Sequence, residues 1–335
     1  METTLVFNTY WRFAAERQAV HFRRLSDPVG PWTTDPILAT YRFTNAYRVS
    51  DRVSQFLIRE VQYREDRAQE PRELFFRTLL FKVFNRIETW QLLERELGPL
   101  SWACTKLDAI MRVLDKRMAR GERLYSAAYI MPAPALGHAR KHANHLALIK
   151  LMIDDHVPER IRQAPSLRSV FEILLRYPGL GPFLAFQYTI DLNYSSLLDH
   201  DEADFVVAGP GALDGIAKCF VHTGGRSPEE VIHWVCDSQE HAFADAGLTF
   251  QTLFGRRLQP IDCQNLFCEV SKYARIAHPD IKGLSSRTRI KQMYRPMLDP
   301  LPVLMLPPRW GVRVPTSAHR SSSDGLKCPR VSLSA

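Results

Sequence analysis

An all-α fold is predicted by two features of this sequence. Apolar residues recur every three to four positions over most of the chain, and strict apolar–polar alternation is scarce. The first helix is read at 11–25, "WRFAAERQAVHFRRL", and the second at 45–63, "NAYRVSDRVSQFLIREVQY". The third, "RELFFRTLLFKVFNRIETWQLLEREL" at 72–97, is apolar nearly all round at Phe75, Phe76, Leu79, Leu80, Phe81, Val83 and Phe84. Such a helix belongs at the centre of a core. Further helices are expected at 103–119, 138–155, 166–176, 182–192, 211–220, 227–242 and 262–274. The short run "DFVVAG" (204–209) is the one strand-like stretch. No repeat or linker divides the chain, so residues 1–295 are read as a single helical domain. From residue 296 onward the sequence is rich in Pro, Ser and Arg, and 296–335 is read as a largely disordered tail.

The 335 residues allow a full core, and 45% hydrophobic with 24% charged residues is ordinary for a globular protein. No stretch has the length of apolar sequence that a membrane helix requires, and the start of the chain lacks the pattern of a secretion signal. Six cysteines without such a signal are read as reduced thiols of an intracellular protein, in cytoplasm, nucleoid or nucleus. The net charge is +8, of which residues 309–335 carry +4 through five basic residues against Asp324. Of 44 basic side chains 34 are Arg, whose planar fork matches phosphate but equally serves buried ion pairs. The charge permits a nucleic-acid partner without demanding one.

The stretch "RYPGLGPFLAFQYTIDL" (176–192) joins two apolar helices through a glycine-bracketed turn. Pro182 suits the first helical position, while Gly179 and Gly181 allow positive φ and close backbone approach. Free amides at the start of the second helix then favour a phosphate. The small Ala185, four residues after Gly181, lets the helices cross closely. The pattern is that of a helix-hairpin-helix DNA-binding turn, although any tight helical corner can use the same residues. Asp201 follows Gly181 by 20 positions, the interval at which DNA glycosylases with this hairpin carry their catalytic carboxylate, and Glu202 and Asp204 stand beside it. A carboxylate there can stabilise a cationic sugar or activate a nucleophile. The three acids can also simply cap a loop. Phe183 stands where glycosylases that also cleave the backbone carry Lys, which argues against Schiff-base chemistry.

Several segments together resemble one family, the helical, glycosylase-like domain of thymine-hypermodification systems. It includes the 5-hydroxymethyluracil DNA kinase helical domain and the α-glutamyl/putrescinyl-thymine pyrophosphorylases. The matching stretches run from about residue 10 to 278, and "RFTNAYRVSDR" and "DFVVAGPGALDGIAKCF" are the most specific. The resemblance implies a role on a flipped, hydroxymethylated or phospho-activated pyrimidine in duplex DNA. An amine or amino-acid co-substrate would displace phosphate or pyrophosphate from the 5-methylene group of the base. Such chemistry needs the base out of the stack and cations near the leaving group. Arg48 and Arg52, with Asn45 and Asp51, serve if the "FTNAYRVSDR" segment is a helix lining the pocket; a buried network bracing two helices is the alternative. Gln187, Glu269, Lys272 and Tyr273 are pocket candidates from the same resemblance. Gly209, Gly211 and Lys218, in or after "GPGALDG", are candidates for phosphate binding at a helix start.

No G-x-x-x-x-G-K-[ST] occurs, so no P-loop points to kinase activity by this chain. His138, His142 and His145 share a helical face, but no acids or cysteines complete a metal site, and the cysteines are too scattered for an iron–sulfur cluster. No cofactor or metal is expected. The rival expectations are a monofunctional DNA glycosylase and a non-catalytic DNA-binding protein on the same fold.

Overall fold

A computed structural model describes residues 1–128, 131–296 and 301–315. Helices dominate it. The chain opens with α1 (Leu5–Ser26), α2 (Pro36–Thr40) and α3 (Arg52–Phe56), then α4 (Pro71–Phe84), α5 (Ile87–Leu97), α6 (Leu107–Ala119) and α7 (Lys141–Asp154). There follow α8 (Val157–Arg162), α9 (Leu167–Leu175), α10 (Pro182–Asn193), α11 (Pro210–Cys219), α12 (Pro228–Asp237), α13 (Gln239–Asp245) and α14 (Pro260–Ala277). The strands among the described residues are Glu2–Thr3 and Phe220–His222, paired antiparallel. The strand-like run at 204–209 is irregular, so the all-α expectation holds.

The central helix α4 is buried from Glu73 to Phe84, as expected from apolar residues nearly all round it. It stops thirteen residues short of the expected end at 97, because Asn85 takes a left-handed conformation (φ 47°) and its N–H closes the last turn on Phe81. The expected helix at 45–63 is also broken, into a 3₁₀ turn at Arg48–Ser50, α3, and a π-helical stretch at Leu57–Gln62. The cause is local. Asp51 Oδ1 accepts from Asn45 N at 2.8 Å and the Asn45 amide donates to Ser50 O at 2.8 Å, so side chains take backbone partners that a helix would use.

Two helix pairs position the site. In the first, α9 and α10 are joined by the turn 176–181, in which Gly179 has φ +81° and Gly181 caps α10. A Cβ at Gly179 would stand 3.2 Å from Pro134, whereas one at Gly181 would meet nothing within 4 Å. In the second, α11 lies directly on α14. A Cβ at Gly211 would meet Cys268 Sγ at 2.2 Å, and one at Gly215 would meet Phe267 O at 2.1 Å. Only glycine permits that approach.

Residues 301–315, assigned above to the tail, form a strap against the domain. Leu304 and Leu306 are buried, and the Gln55 amide donates to Met305 O at 3.0 Å while accepting from Met305 N at 2.9 Å. The rest of the expected tail, 297–300 and 316–335, lies outside the described residues.

Candidate functional site

The segment 43–52 is held at two points by α14. Thr44 N donates to Glu269 Oε2 at 3.0 Å, and Arg48 N donates to Asp262 Oδ1 at 2.8 Å. Glu269 and Asp262 are seven residues apart, two helical turns, and so present their carboxylates on one face. Arg48 then crosses to α10. Its Nε donates to Gln187 Oε1 at 3.1 Å and its Nη2 to Asp191 Oδ1 at 2.8 Å, with the guanidinium 5.4 Å from the centre of the Tyr194 ring.

Asp191 also receives Lys82 of α4, whose Nζ is 3.0 Å from Oδ2 and donates to Asn85 Oδ1 at 2.8 Å. One carboxylate thus serves two cations, all three side chains being at most 4% exposed. A charge so far from water persists only when paired. Burial pulls the Lys82 ammonium below its ordinary pKa, against the attraction of Asp191. Burial likewise pushes Asp262 up to about 7, opposed by the Gln259 N–H and reinforced by Glu202.

Glu202 forms the neighbouring part of this interior. It is 3% exposed and binds Arg256 at 2.8 Å, and burial raises its pKa. Its Oε1 has no hydrogen-bond partner among the described residues. Arg256 lies face to face with the Trp310 ring, 3.7 Å from its centre.

A second cluster lies on the other side of the 43–52 segment. Arg17 of α1 donates to Asn45 Oδ1 at 2.5 Å and to Thr44 O at 2.9 Å. Burial pushes the Asp51 carboxyl up to about 6, against the pull of the Asn45 N–H and Arg17. Lys272 pairs with Glu269 at 2.7 Å and lies 4.5 Å over the Phe43 ring. Tyr273 donates to Asp35 Oδ2 at 2.6 Å and packs edge-on against Phe13. Asn45, Asp51, Glu269 and Lys272 therefore converge, while Arg48 and Gln187 meet in the first cluster.

Other sequence candidates lie elsewhere. Arg52 is half exposed, 3.7 Å from Glu88, and the broken helix removes the shared face expected for residues 45, 48 and 52. Asp201 is exposed and accepts from Ala203 N at 2.9 Å, closing its own loop; Asp204 is exposed. Gly209 is packed against Phe183, where a Cβ would stand 2.6 Å from the ring, and Gly211 faces Cys268. Lys218 is buried, donates to Ser271 O at 2.9 Å and pairs with Asp214 at 3.2 Å, so its ammonium serves the α11–α14 contact. His142 is bonded to Asp115, and His145 to Tyr125 and Pro132 O; no group of acids, His and Cys fit for a metal occurs among the described residues.

Lys82, Asp191, Arg256 and Asp262 were missed in the sequence. The available signal was a charge inside an apolar helix: Lys82 in "LLFKVF" and Asp191 in "FQYTIDL". Beside the hairpin lies a cavity of about 10 Å³, lined among others by Gly179, Leu180, His145 and Tyr188. It has room for a single water. A nucleobase entering there must displace part of its wall.

These features define a helical domain with a glycine-turned hairpin over a buried charged interior. Residues 4–283 match the family described as 5-hmdU DNA kinase, helical domain, and the chain belongs to that family. A relative from Bacillus phage SP10, a 5-hmdU DNA kinase, is 26% identical over 290 residues. The alignment covers 80% of this chain but 45% of the relative, so the chain spans under half the length of that protein. No solved structure matches. No helix among the described residues is long and apolar enough to cross a membrane.

Proposed function

We propose that this chain is a DNA base-modifying domain that acts on a hydroxymethylated or phospho-activated pyrimidine swung out of the duplex. Family membership is the observation that carries the reading, since the family is described by a kinase acting on 5-hydroxymethyl-deoxyuridine in DNA. Part of the sequence evidence agrees. The chain has no P-loop, and it aligns to under half of the kinase relative. In this reading the helical domain grips DNA and presents the base, and phosphoryl transfer belongs to other parts of the relative.

Each role has a physical basis. The α9–α10 turn offers the amides at the start of α10 to a backbone phosphate, as a helix-hairpin-helix motif does. The interior formed by Arg48, Lys82, Gln187 and Asp191 supplies cations in a water-poor setting, where they act strongly on a developing phosphate charge. Glu202 is the one buried member of the acidic trio and so the best placed to act on a bound nucleotide. An amine co-substrate fits a scheme in which phosphate or pyrophosphate leaves the 5-methylene carbon as the C–N bond forms.

The test is binding and turnover with a defined substrate. The purified chain is incubated with a duplex bearing one 5-hydroxymethyluracil, or its 5-phosphomethyl form, with and without a polyamine or amino acid, and nucleosides are resolved by mass spectrometry. Selective binding of the modified duplex, or a mass gain on the modified nucleoside, supports the proposal. Release of a free base would instead identify a glycosylase. Binding indifferent to the modification, with no product, would leave a DNA-binding protein without this chemistry.

A further inference from the structure

The strap 301–315 lies outside the family match, which ends at residue 283, yet it covers the Arg256–Glu202 pair. Trp310 lies 3.7 Å over the Arg256 guanidinium and meets the Tyr194 ring edge-on, with centres 5.9 Å apart and planes at 80°. Arg256 is also held by Glu202 at 2.8 Å, a contact that does not involve the indole. A planar ring held between a guanidinium face and an aromatic edge is also how proteins hold an unstacked nucleobase. Glu202 Oε1, buried and without a hydrogen-bond partner among the described residues, is an acceptor that a base N–H would satisfy.

The strap is held by side chains rather than by regular secondary structure. Its regular structure is one 3₁₀ turn, Pro308–Trp310. Its polar anchors include the Gln55–Met305 pair, Arg59 donating to Val303 O at 3.3 Å, and Arg309, which donates to Asn193 O, to His200 O at 3.3 Å and to Asp199 at 3.0 Å. Trp310 itself remains partly exposed.

We infer that the face of Arg256 beneath Trp310 is a stacking site for an unpaired nucleobase, which Trp310 occupies until nucleic acid displaces the strap. The inference rests on the DNA reading above and adds where the base stacks and what keeps that place closed. A site closed by its own chain binds more weakly in proportion to the fraction of time it stands open.

The test uses the full chain and a duplex with one 2-aminopurine opposite an abasic site. Trp310→Ala is expected to bind that duplex about tenfold more tightly than wild type. Arg256→Lys, which keeps the ion pair with Glu202 but loses the planar face, should abolish that gain when added to Trp310→Ala. In the wild type, the same duplex should speed backbone hydrogen exchange across 301–315. Should Trp310→Ala fold poorly, the wild-type exchange experiment decides alone. Equal or weaker binding by a folded Trp310→Ala, or exchange unchanged by bound duplex, overturns the inference and leaves the DNA reading standing. Failure of the wild type to bind any duplex overturns both.

Discussion

Arg48 and Asp191 are 143 residues apart in the chain, yet Arg48 Nη2 lies 2.8 Å from Asp191 Oδ1 with both side chains buried. That bond ties the 43–52 segment to the hairpin helix α10, and Lys82 brings α4 to the same carboxylate. Removing the shared anion strands two cations in the interior. Asp191→Ala is therefore expected to cost about 3–5 kcal/mol in chemical denaturation. Adding Lys82→Met should recover part of the loss, as expected for coupled neighbours. Equal losses in the single and double variants would deny the shared-anion arrangement.

The two glycine contacts make opposite predictions. Gly215→Ala drives a methyl group into Phe267 O and should destabilise by about 2 kcal/mol or more. Gly181→Ala has open space and an ordinary φ of −73°, so it should cost less than about 1 kcal/mol. Under the proposed DNA reading its effect falls on DNA affinity, where a methyl beside the α10 amides hinders a phosphate. Thermal melts and anisotropy on both variants separate a packing role from the proposed binding role.

Stability should depend on pH through the buried acids. Asp262 is pushed up to about 7 and Asp51 to about 6, both above the ordinary carboxylate value of 3.8. For such groups the folded state holds more protons than the unfolded chain. Their contribution is complete below the unfolded pKa and is lost as pH rises through the folded one. Between about pH 4 and pH 7, Asp262 alone should remove at most about 4 kcal/mol. Asp262→Asn should flatten the fall in stability over that range. A variant with the wild-type slope would show that Asp262 titrates normally.

Within the acidic trio, Glu202→Gln should impair function, because it replaces the buried partner of Arg256. Asp201→Asn and Asp204→Asn lie at exposed positions and should each change stability by less than about 0.5 kcal/mol. The check is the nucleoside assay together with melts. Loss of function in Asp201→Asn but not Glu202→Gln would return the catalytic role to the position with glycosylase spacing.

Helix periodicity made the fold class and most helix positions readable, because amphipathic and buried helices write their burial into the sequence. The breaks at Asn85 and around Asp51 were not readable, since the first depends on one residue turning left-handed and the second on the Asn45 and Asp51 side chains taking backbone partners. The turn between α9 and α10 was legible from Pro182 and its two glycines. The pairing of Arg48 with Gln187 and Asp191 was not, because contacts between distant helices leave no periodic trace. Gly209, Gly211 and Lys218 looked like a phosphate loop, but in the fold Gly209 packs on Phe183 of α10, while Gly211 and Lys218 lie at the contact of α11 with α14. The strap hid in a composition typical of disorder, with Leu304, Leu306 and Trp310 too sparse to signal packing.

The most direct test of the central claim is mass spectrometry of nucleosides from the DNA of the source organism, with the gene intact, deleted, and carrying Arg48→Gln. The account predicts a modified pyrimidine present with the intact gene and lost in the other two. Identical nucleoside profiles in all three, in DNA that does carry hydroxymethylated pyrimidines, would contradict it.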